Sequence, residues 1–144
     1  MKIYMDICCF NRPFDDQSQL RIKLESEAKL MIQDGIRSGR FELAWSYVLD
    51  FENENNPFEE RKAQIEKWKL LSIMDTEETV DVLNHAKDLA HLGIKKLDAL
   101  HVSCAIFSGC DFFITTDDKV LKKNPLVKGI EIVDPFSFIK ETEN

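Results

Sequence analysis

Short apolar runs alternate with amphipathic helical segments along this chain, and that alternation restricts the folds open to it. Apolar runs over 2–6, 41–45, 111–116 and 129–134 predict strands. A helical pattern follows each of them. Strands that alternate with helices build a mainly parallel sheet covered on both faces. The sequence therefore predicts an α/β fold of that kind.

The helical patterns differ in how clearly they define a buried face. Over 17–36, one predicted stripe carries the following small or apolar residues: Leu20, Leu24, Ala28, Met31 and Gly35. Ser46 stands where an N-cap would open the next helix, and Pro57 ends it. Two further helical patterns lead to Gly93 with no strand predicted between them. A helix from near Asp98 to Gly109 then leads into the strand over 111–116.

Length and charge narrow the class of protein. With 144 residues, 44% of them hydrophobic, the chain is expected to form a single domain over residues 1–144. With a net charge of -7, the chain lacks the excess of basic residues expected of a general nucleic-acid binder. A polyanionic substrate would therefore need a local basic patch or a bound cation.

The cysteine content and the apolar runs bear on the compartment. Four cysteines at low density do not make a disulfide framework, and Asp6 interrupts the N-terminal apolar run that a signal peptide would need. No later run approaches the roughly 20 apolar residues of a membrane-spanning helix. We therefore expect a soluble protein of the reducing cytoplasm with no membrane partner.

Four acids are predicted to meet at one edge of the sheet. Asp6 closes the first strand, Asp117 directly follows the strand over 111–116, and Asp98 opens the helix that precedes that strand. Glu52 lies in the helix opened by Ser46, within two turns of the same edge. In parallel sheets, ligands bind outside the carboxyl ends of the strands. The acids are therefore placed where a ligand is expected.

A cluster of this kind has a chemical consequence. Two ionised carboxylates about 4 Å apart repel by roughly 4 kcal/mol at an effective dielectric constant near 20. Either some of the acids are protonated or a divalent cation lies among them, and hard oxygen ligands suit Mg²⁺ or Mn²⁺. Such clusters carry out metal-assisted hydrolysis of phosphodiesters.

Four segments of the chain resemble the motifs of the PIN-domain nucleases, a family that includes the VapC-type toxins of toxin–antitoxin pairs. "IYMDICCFNRPFDD" is similar to the family's first strand, whose closing aspartate is a metal ligand, and this role falls on Asp6. "SYVLDFE" matches a segment with a catalytic acid at Glu52. "LDALHVSCA" places the third acid at Asp98, and "FFITTDDKVL" places the fourth at Asp117 with Thr115 beside it.

The resemblance covers essentially the whole chain and implies a three-layer α/β/α sandwich. It also implies Mg²⁺- or Mn²⁺-dependent endoribonuclease activity, with all four acids catalytic and Asp6, Asp98 and Asp117 as metal ligands. The implied partners are RNA and an antitoxin protein, and a homodimer stays open. The alternative is a non-catalytic PIN-like module that binds RNA or protein. A phosphoacceptor signalling domain fits less well, because the acids of "NRPFDD" follow the first strand rather than end it.

Several residues near the predicted site keep two interpretations. Asp50 competes with Glu52, and Asp118, interpreted as a solvated neighbour, competes with Asp117. The residues expected to contact substrate, besides Thr115, are Arg12 and Lys119.

For Arg12 the alternative role is a surface ion pair with Asp15 or Asp16. His101 and Cys104 have metal-ligand spacing, but a single such pair indicates core or supporting residues rather than a zinc site.

Overall fold

The computed structural model describes residues 1–143 and contains one parallel sheet of five strands. The strands are β1 Lys2–Met5, β2 Glu42–Ser46, β3 Met74–Thr76, β4 Phe112–Ile114 and β5 Glu131–Val133. Their order is β3-β2-β1-β4-β5, and every neighbouring pair is parallel. The three-layer α/β/α sandwich predicted from the sequence is thereby confirmed.

Helices connect the strands. The α-helices are α1 Ile7–Asn11, α2 Leu20–Arg37, α3 Tyr47–Glu54, α4 Glu59–Lys69, α5 Val80–Ala90, α6 Lys96–Phe107, α7 Asp118–Leu121 and α8 Pro135–Thr142. Short 3-10 helices occupy Arg12–Phe14 and Asn124–Leu126. Within residues 1–143, no helix combines the length and the apolar character that crossing a membrane requires.

Polar residues stop the strands and start the helices at the carboxyl edge of the sheet. Asp6 accepts a hydrogen bond from the backbone N–H of Ile7 at 2.8 Å and so caps α1. Ser46, as predicted, caps α3 by accepting from the N–H of Leu49. Asp117 caps α7. Because a cap must lie at the junction of strand and helix, these side chains are held at the sheet edge.

The sequence did not predict β3. Its three residues are partly exposed and polar at two positions, and within residues 1–143 it pairs only with β2, where Met74 lies opposite Ala44. A strand at the edge of a sheet is formed by pairing with its one neighbour and needs no continuous apolar run. The apolar pattern that reveals buried strands is therefore missing here.

The predicted buried stripe of α2 is wrong at three of its five positions. Leu20 is 70% exposed, and Leu24 and Met31 are exposed as well. The buried face instead carries Ala28, Gly35, Ile32 and Ile36 together with four polar residues, Glu25, Ser26, Lys29 and Gln33. Hydrophobic periodicity misplaces a helix when charged residues occupy part of its inner face. By contrast, both tryptophans, Trp45 and Trp68, are buried, as expected of large apolar side chains.

Candidate active site

Two neighbouring strands bring Asp6 and Asp117 to the same place. Met5 pairs with Ile114, so the residues that follow β1 and β4 lie side by side. Thr115, which is fully buried, donates a hydrogen bond from its hydroxyl to Asp6 Oδ2 at 2.9 Å. The same hydroxyl oxygen accepts from the backbone N–H of Asp117 at 3.1 Å. Thr115 therefore links the two acids, and its hydroxyl is already used by the protein.

A chain of buried hydrogen bonds fixes Glu52. Its carboxylate contacts Nε2 of His101, a fully buried residue of α6. The other ring nitrogen, Nδ1, is 2.6 Å from the hydroxyl of Tyr4. That hydroxyl in turn lies 2.6 Å from Oγ of Ser46. Residues from β1, β2 and α6 together hold the Glu52 side chain at the sheet edge.

Three residues at this edge have the spacing of a metal site. Ligand atoms of Asp6, Glu52 and His101 all lie within 4.8 Å of one another. Burial raises the pKa of Asp6; His101 opposes the shift, and the Glu52 carboxylate adds to it. Burial lowers the pKa of His101, but its bond with Glu52 and the charge of Asp6 raise it by more, so the net shift is upward.

Asp98 is electrostatically coupled to the same group. It lies half-buried in the first turn of α6. Its pKa is raised to about 6 by burial first and then by the carboxylates of Asp6, Asp117 and Glu52, while His101 opposes the shift. Asp98 is therefore coupled to each of the other three predicted acids. A carboxyl with a pKa near 6 is mostly ionised at pH 7, so Asp98 carries a negative charge at neutral pH.

That charge fits a divalent cation. The donors are carboxylate oxygens with one imidazole nitrogen, a set suited to Mg²⁺ or Mn²⁺ through its oxygens. The compact group found among residues 1–143 shares Asp6 with the ligand set implied by the family resemblance, but it contains Glu52 and His101 in place of Asp98 and Asp117.

The structure separates the competing acids by their contacts. Asp50 accepts hydrogen bonds from Trp45 Nε1 and Lys69 Nζ, both at 3.0 Å. Asp118 is exposed and accepts two hydrogen bonds of 2.8 Å from the guanidinium of Arg21. Ion pairs thus hold both residues, whereas Glu52 contacts His101 and Asp117 acts on Asp98. These contacts favour Glu52 and Asp117 as members of the site.

The two predicted cations of the site differ in their surroundings. Arg12 donates to Asp15 at 3.2 Å and to Glu25 at 3.1 Å. The ion pair with Asp15 considered from the sequence is therefore present, while Asp16 accepts from Ser18 instead. Lys119 is exposed, and its backbone N–H donates to Asp117 Oδ1 at 2.9 Å. Its side chain has no carboxylate partner among residues 1–143.

A groove of about 380 Å³ adjoins the acids on the Glu52 side and was not anticipated from the sequence. It runs between α1 and the loop 55–58 that joins α3 to α4, and Arg12 and Arg61 lie along it. No short motif signals such a groove, because its walls come together only when α1 packs against α3 and α4. For His101, a signal did exist: it follows Asp98 by three residues, which places both on one helical face.

No protein-family model matches the sequence, and no curated protein matches it significantly. Among solved structures, one chain of VapBC2 from Rickettsia felis, crystallised bound to a DNA fragment from their promoter, is similar with a TM-score of 0.57. The two chains are 11% identical, and the match covers 93% of this chain and 98% of that one. Identity this low shows the fold alone. The chain therefore has a PIN-like fold, as its four motifs predicted.

Proposed function

We propose that this protein is a divalent-metal-dependent endoribonuclease and the toxin component of a toxin–antitoxin pair. The observation that carries the proposal is the convergence of Asp6, Glu52, Asp98 and Asp117 from four separate segments, with the pKa of Asp98 raised to about 6. Binding alone does not require clustered carboxylates, whereas phosphodiester hydrolysis uses them. The structural likeness to a chain of VapBC2 supports the toxin assignment.

Asp6, Asp98 and Asp117 are the residues we assign to holding the cation, with His101 and Glu52 beside Asp6. When bound, a divalent cation lowers the pKa of water and offsets the charge that develops on the phosphate. Glu52, oriented by His101, accepts the proton of the attacking water. The new bond joins the water oxygen to phosphorus, and the bond from phosphorus to the leaving ribose oxygen breaks.

The proposed partners follow from the same comparison. An antitoxin encoded by a neighbouring reading frame is expected to bind this chain and to silence it. All four cysteines are free, which fits a reducing cytoplasm where RNA is available. Expression of the chain alone should arrest growth, and co-expression of the neighbouring gene should restore it. Absence of arrest would remove the toxin assignment and leave the nuclease assignment standing.

The direct test is cleavage of a mixed RNA pool by purified protein. Wild type should produce fragments with Mg²⁺ or Mn²⁺ and none with a chelator, and Asp98→Asn should produce none under either condition. Asp81→Asn, a change at an exposed acid in the first turn of α5, is the matched control. Equal cleavage by wild type and Asp98→Asn would point to a contaminating nuclease and overturn the proposal. RNA binding without cleavage would favour the non-catalytic module instead.

A further inference from the structure

The groove beside Glu52 has the size and position of a substrate pocket. Its volume of about 380 Å³ lies within the range of about 300–1,000 Å³ typical of small-molecule sites. Glu52 itself belongs to the lining, so a chain presenting a phosphate to the acids has to continue past this groove. The lining also includes Asn56, Phe58 and Arg61.

One part of the groove is a flat surface held in place. Phe58 is 53% exposed, and the guanidinium carbon of Arg61 lies 4.3 Å from the centre of its ring. Arg61 is fixed in turn, because it donates to Asp15 at 3.1 Å and to the carbonyl of Phe14 at 2.7 Å. Unpaired bases stack on aromatic rings and on guanidinium planes. The ring of Phe58 and the guanidinium plane of Arg61 therefore present both kinds of stacking surface in a fixed orientation.

A second part of the groove carries amide donors. Asn56 Oδ1 accepts from the backbone N–H of Phe58 at 3.1 Å, which fixes the orientation of that amide. Its Nδ2 donates to Asn11 Oδ1 at 3.3 Å, which fixes the second amide. Each NH₂ group has two donors. Within residues 1–143, both N–H groups of Asn11 and one of Asn56 are left to bond a ligand, and these donors favour a base edge that carries carbonyl oxygens.

Charge favours a base over a phosphate in this groove. Arg12 and Arg61 are the cations along it, and both donate to Asp15, while Arg12 also donates to the buried Glu25. Two guanidinium groups facing two carboxylates leave no net positive charge for a phosphate. Stacking and amide hydrogen bonds are the interactions that remain.

We infer that this groove binds one unpaired RNA base next to the phosphate presented to the acids, stacking it on Phe58 and Arg61 and reading its edge with Asn11 and Asn56. The inference rests on the proposed endoribonuclease function. It predicts that the substrate is single-stranded at the cut and that the enzyme prefers a base bearing a carbonyl oxygen over adenine.

The test measures binding of labelled RNA hexamers U6, C6 and A6 to the cleavage-deficient Asp98→Asn variant at fixed Mg²⁺, by fluorescence anisotropy. In that background, Phe58→Ala should weaken binding of U6 about 10-fold, within the range for loss of one base stack. Phe51→Ala is the matched control, since Phe51 is 58% exposed on α3 and does not line the groove. It should leave affinity unchanged. Asn11→Ala should reduce the preference for U6 over A6.

The outcomes separate this inference from the proposed function. If Phe58→Ala and Phe51→Ala bind U6 equally, or if no hexamer binds to the Asp98→Asn protein, the base site is overturned, even where wild type cuts RNA. If Phe58→Ala alone weakens binding and wild type cuts no RNA, the base site stands and the nuclease function falls. Thermal unfolding of each variant checks that the fold is retained, and a half-exposed phenylalanine is a tolerant position for that purpose.

Discussion

Two regions of this protein take charged groups out of water in opposite ways. At the carboxyl edge of the sheet, several carboxylates face one another, and the pKa of Asp98 rises to about 6. On the inner face of α2, a single amine, Lys29, is 2% exposed. It lies 5.2 Å from the ring centre of Phe10 and 5.3 Å from that of Trp68, with no carboxylate in an ion pair with it among residues 1–143.

The difference lies in how each region relieves the cost of burial. Burial lowers the pKa of Lys29 to about 7, so losing a proton removes much of its charge near neutral pH, and the aromatic rings stabilise what remains. Asp98 stays mostly ionised at pH 7, because its pKa of about 6 lies below that value. A carboxylate held beside other acids is stabilised by a ligand of opposite charge. Burial of charge alone therefore does not indicate function, whereas like charges held together do.

The largest expected effect is on RNA cleavage, and it tests which acids belong to the acid cluster. Glu52→Gln and Asp117→Asn should each reduce RNA cleavage by roughly 10²–10³-fold, the scale on which losing one transition-state contact acts. Asp50→Asn and Asp118→Asn should cost less than about 10-fold, because their carboxylates are held in ion pairs outside the cluster. Initial cleavage rates give the comparison, and circular dichroism checks the fold. The reverse order of effects would refute the assignment of Glu52 and Asp117.

The second prediction concerns Lys29 on the inner face of α2. The change in pKa of Lys29 from 10.5 to about 7 corresponds to at most about 5 kcal/mol of unfolding free energy. Lys29→Met removes this penalty but also loses the cation–π contacts, worth about 1–2 kcal/mol. We therefore expect Lys29→Met to be more stable than wild type by about 3 kcal/mol at pH 7.

The pH dependence of that difference has a definite sign. Between pH 7 and 10.5 the unfolded state binds more protons at Lys29 than the folded state does, so the wild type gains stability from this residue as pH rises. The advantage of Lys29→Met should shrink from pH 7 to pH 9.5 in urea titrations. Lys23→Met, at an exposed position of α2, should show no such trend. An advantage that stayed constant with pH would mean that Lys29 is not the titrating group.

The third prediction returns to the acids with a stability measurement. A cation that binds only the folded state at 100 times its dissociation constant adds about 2.7 kcal/mol. Mn²⁺ or Mg²⁺ should therefore raise the melting temperature of wild type and of Lys29→Met in a concentration-dependent way. Asp98→Asn should lose most of that increase. An equal increase in wild type and Asp98→Asn would place the bound cation elsewhere.

Sequence patterns predicted four of the five strands and the convergence of the acids for the same reason. Buried parallel strands have apolar runs, and chain order with strand direction places their carboxyl ends at one edge. The apolar runs are local sequence signals, and the meeting of the carboxyl ends follows from the topology of a parallel sheet. The edge strand β3 and the inner face of α2 lack that signal, since one is short and polar and the other buries Glu25 and Lys29.

The parts of the site that sequence missed depend on contacts between distant residues. Tyr4 and His101 are 97 positions apart, and Thr115 and Asp6 are 109 apart. These contacts form when the helices pack on the sheet. The spacing of residues within one segment therefore cannot predict them. The groove formed by Phe58 and Arg61 against α1 is of the same kind. Motifs therefore predicted the acids, and His101 as a core or supporting residue, but they did not predict the contacts of His101 with Tyr4 and of Thr115 with Asp6.

The smallest expected effect concerns how an acidic protein holds RNA. Because the net charge is -7, the affinity for RNA should come from the acid cluster and a few cations. The slope of log affinity against log salt concentration should therefore correspond to about one to three phosphate contacts, each contributing roughly 0.7. Lys119 lacks a carboxylate partner within residues 1–143, so Lys119→Ala should lower the slope by about 0.7. Arg12 already bonds Asp15 and Glu25, so Arg12→Ala should lower it by less.

Binding of single-stranded RNA to an Asp6→Asn variant across a salt series at fixed Mg²⁺ measures these slopes. Lys95→Ala is the matched control, because Lys95 is an exposed lysine at the start of α6 that does not line the groove. A steep slope in the parent variant would reveal an extended basic surface, contrary to the charge distribution described above. A slope changed more by Arg12→Ala than by Lys119→Ala would show that Arg12 leaves its two carboxylates to bind phosphate. In that case the ion pairs of Arg12 would orient its guanidinium before substrate binds. The affinity for RNA would then depend on Arg12 as well as on the acid cluster.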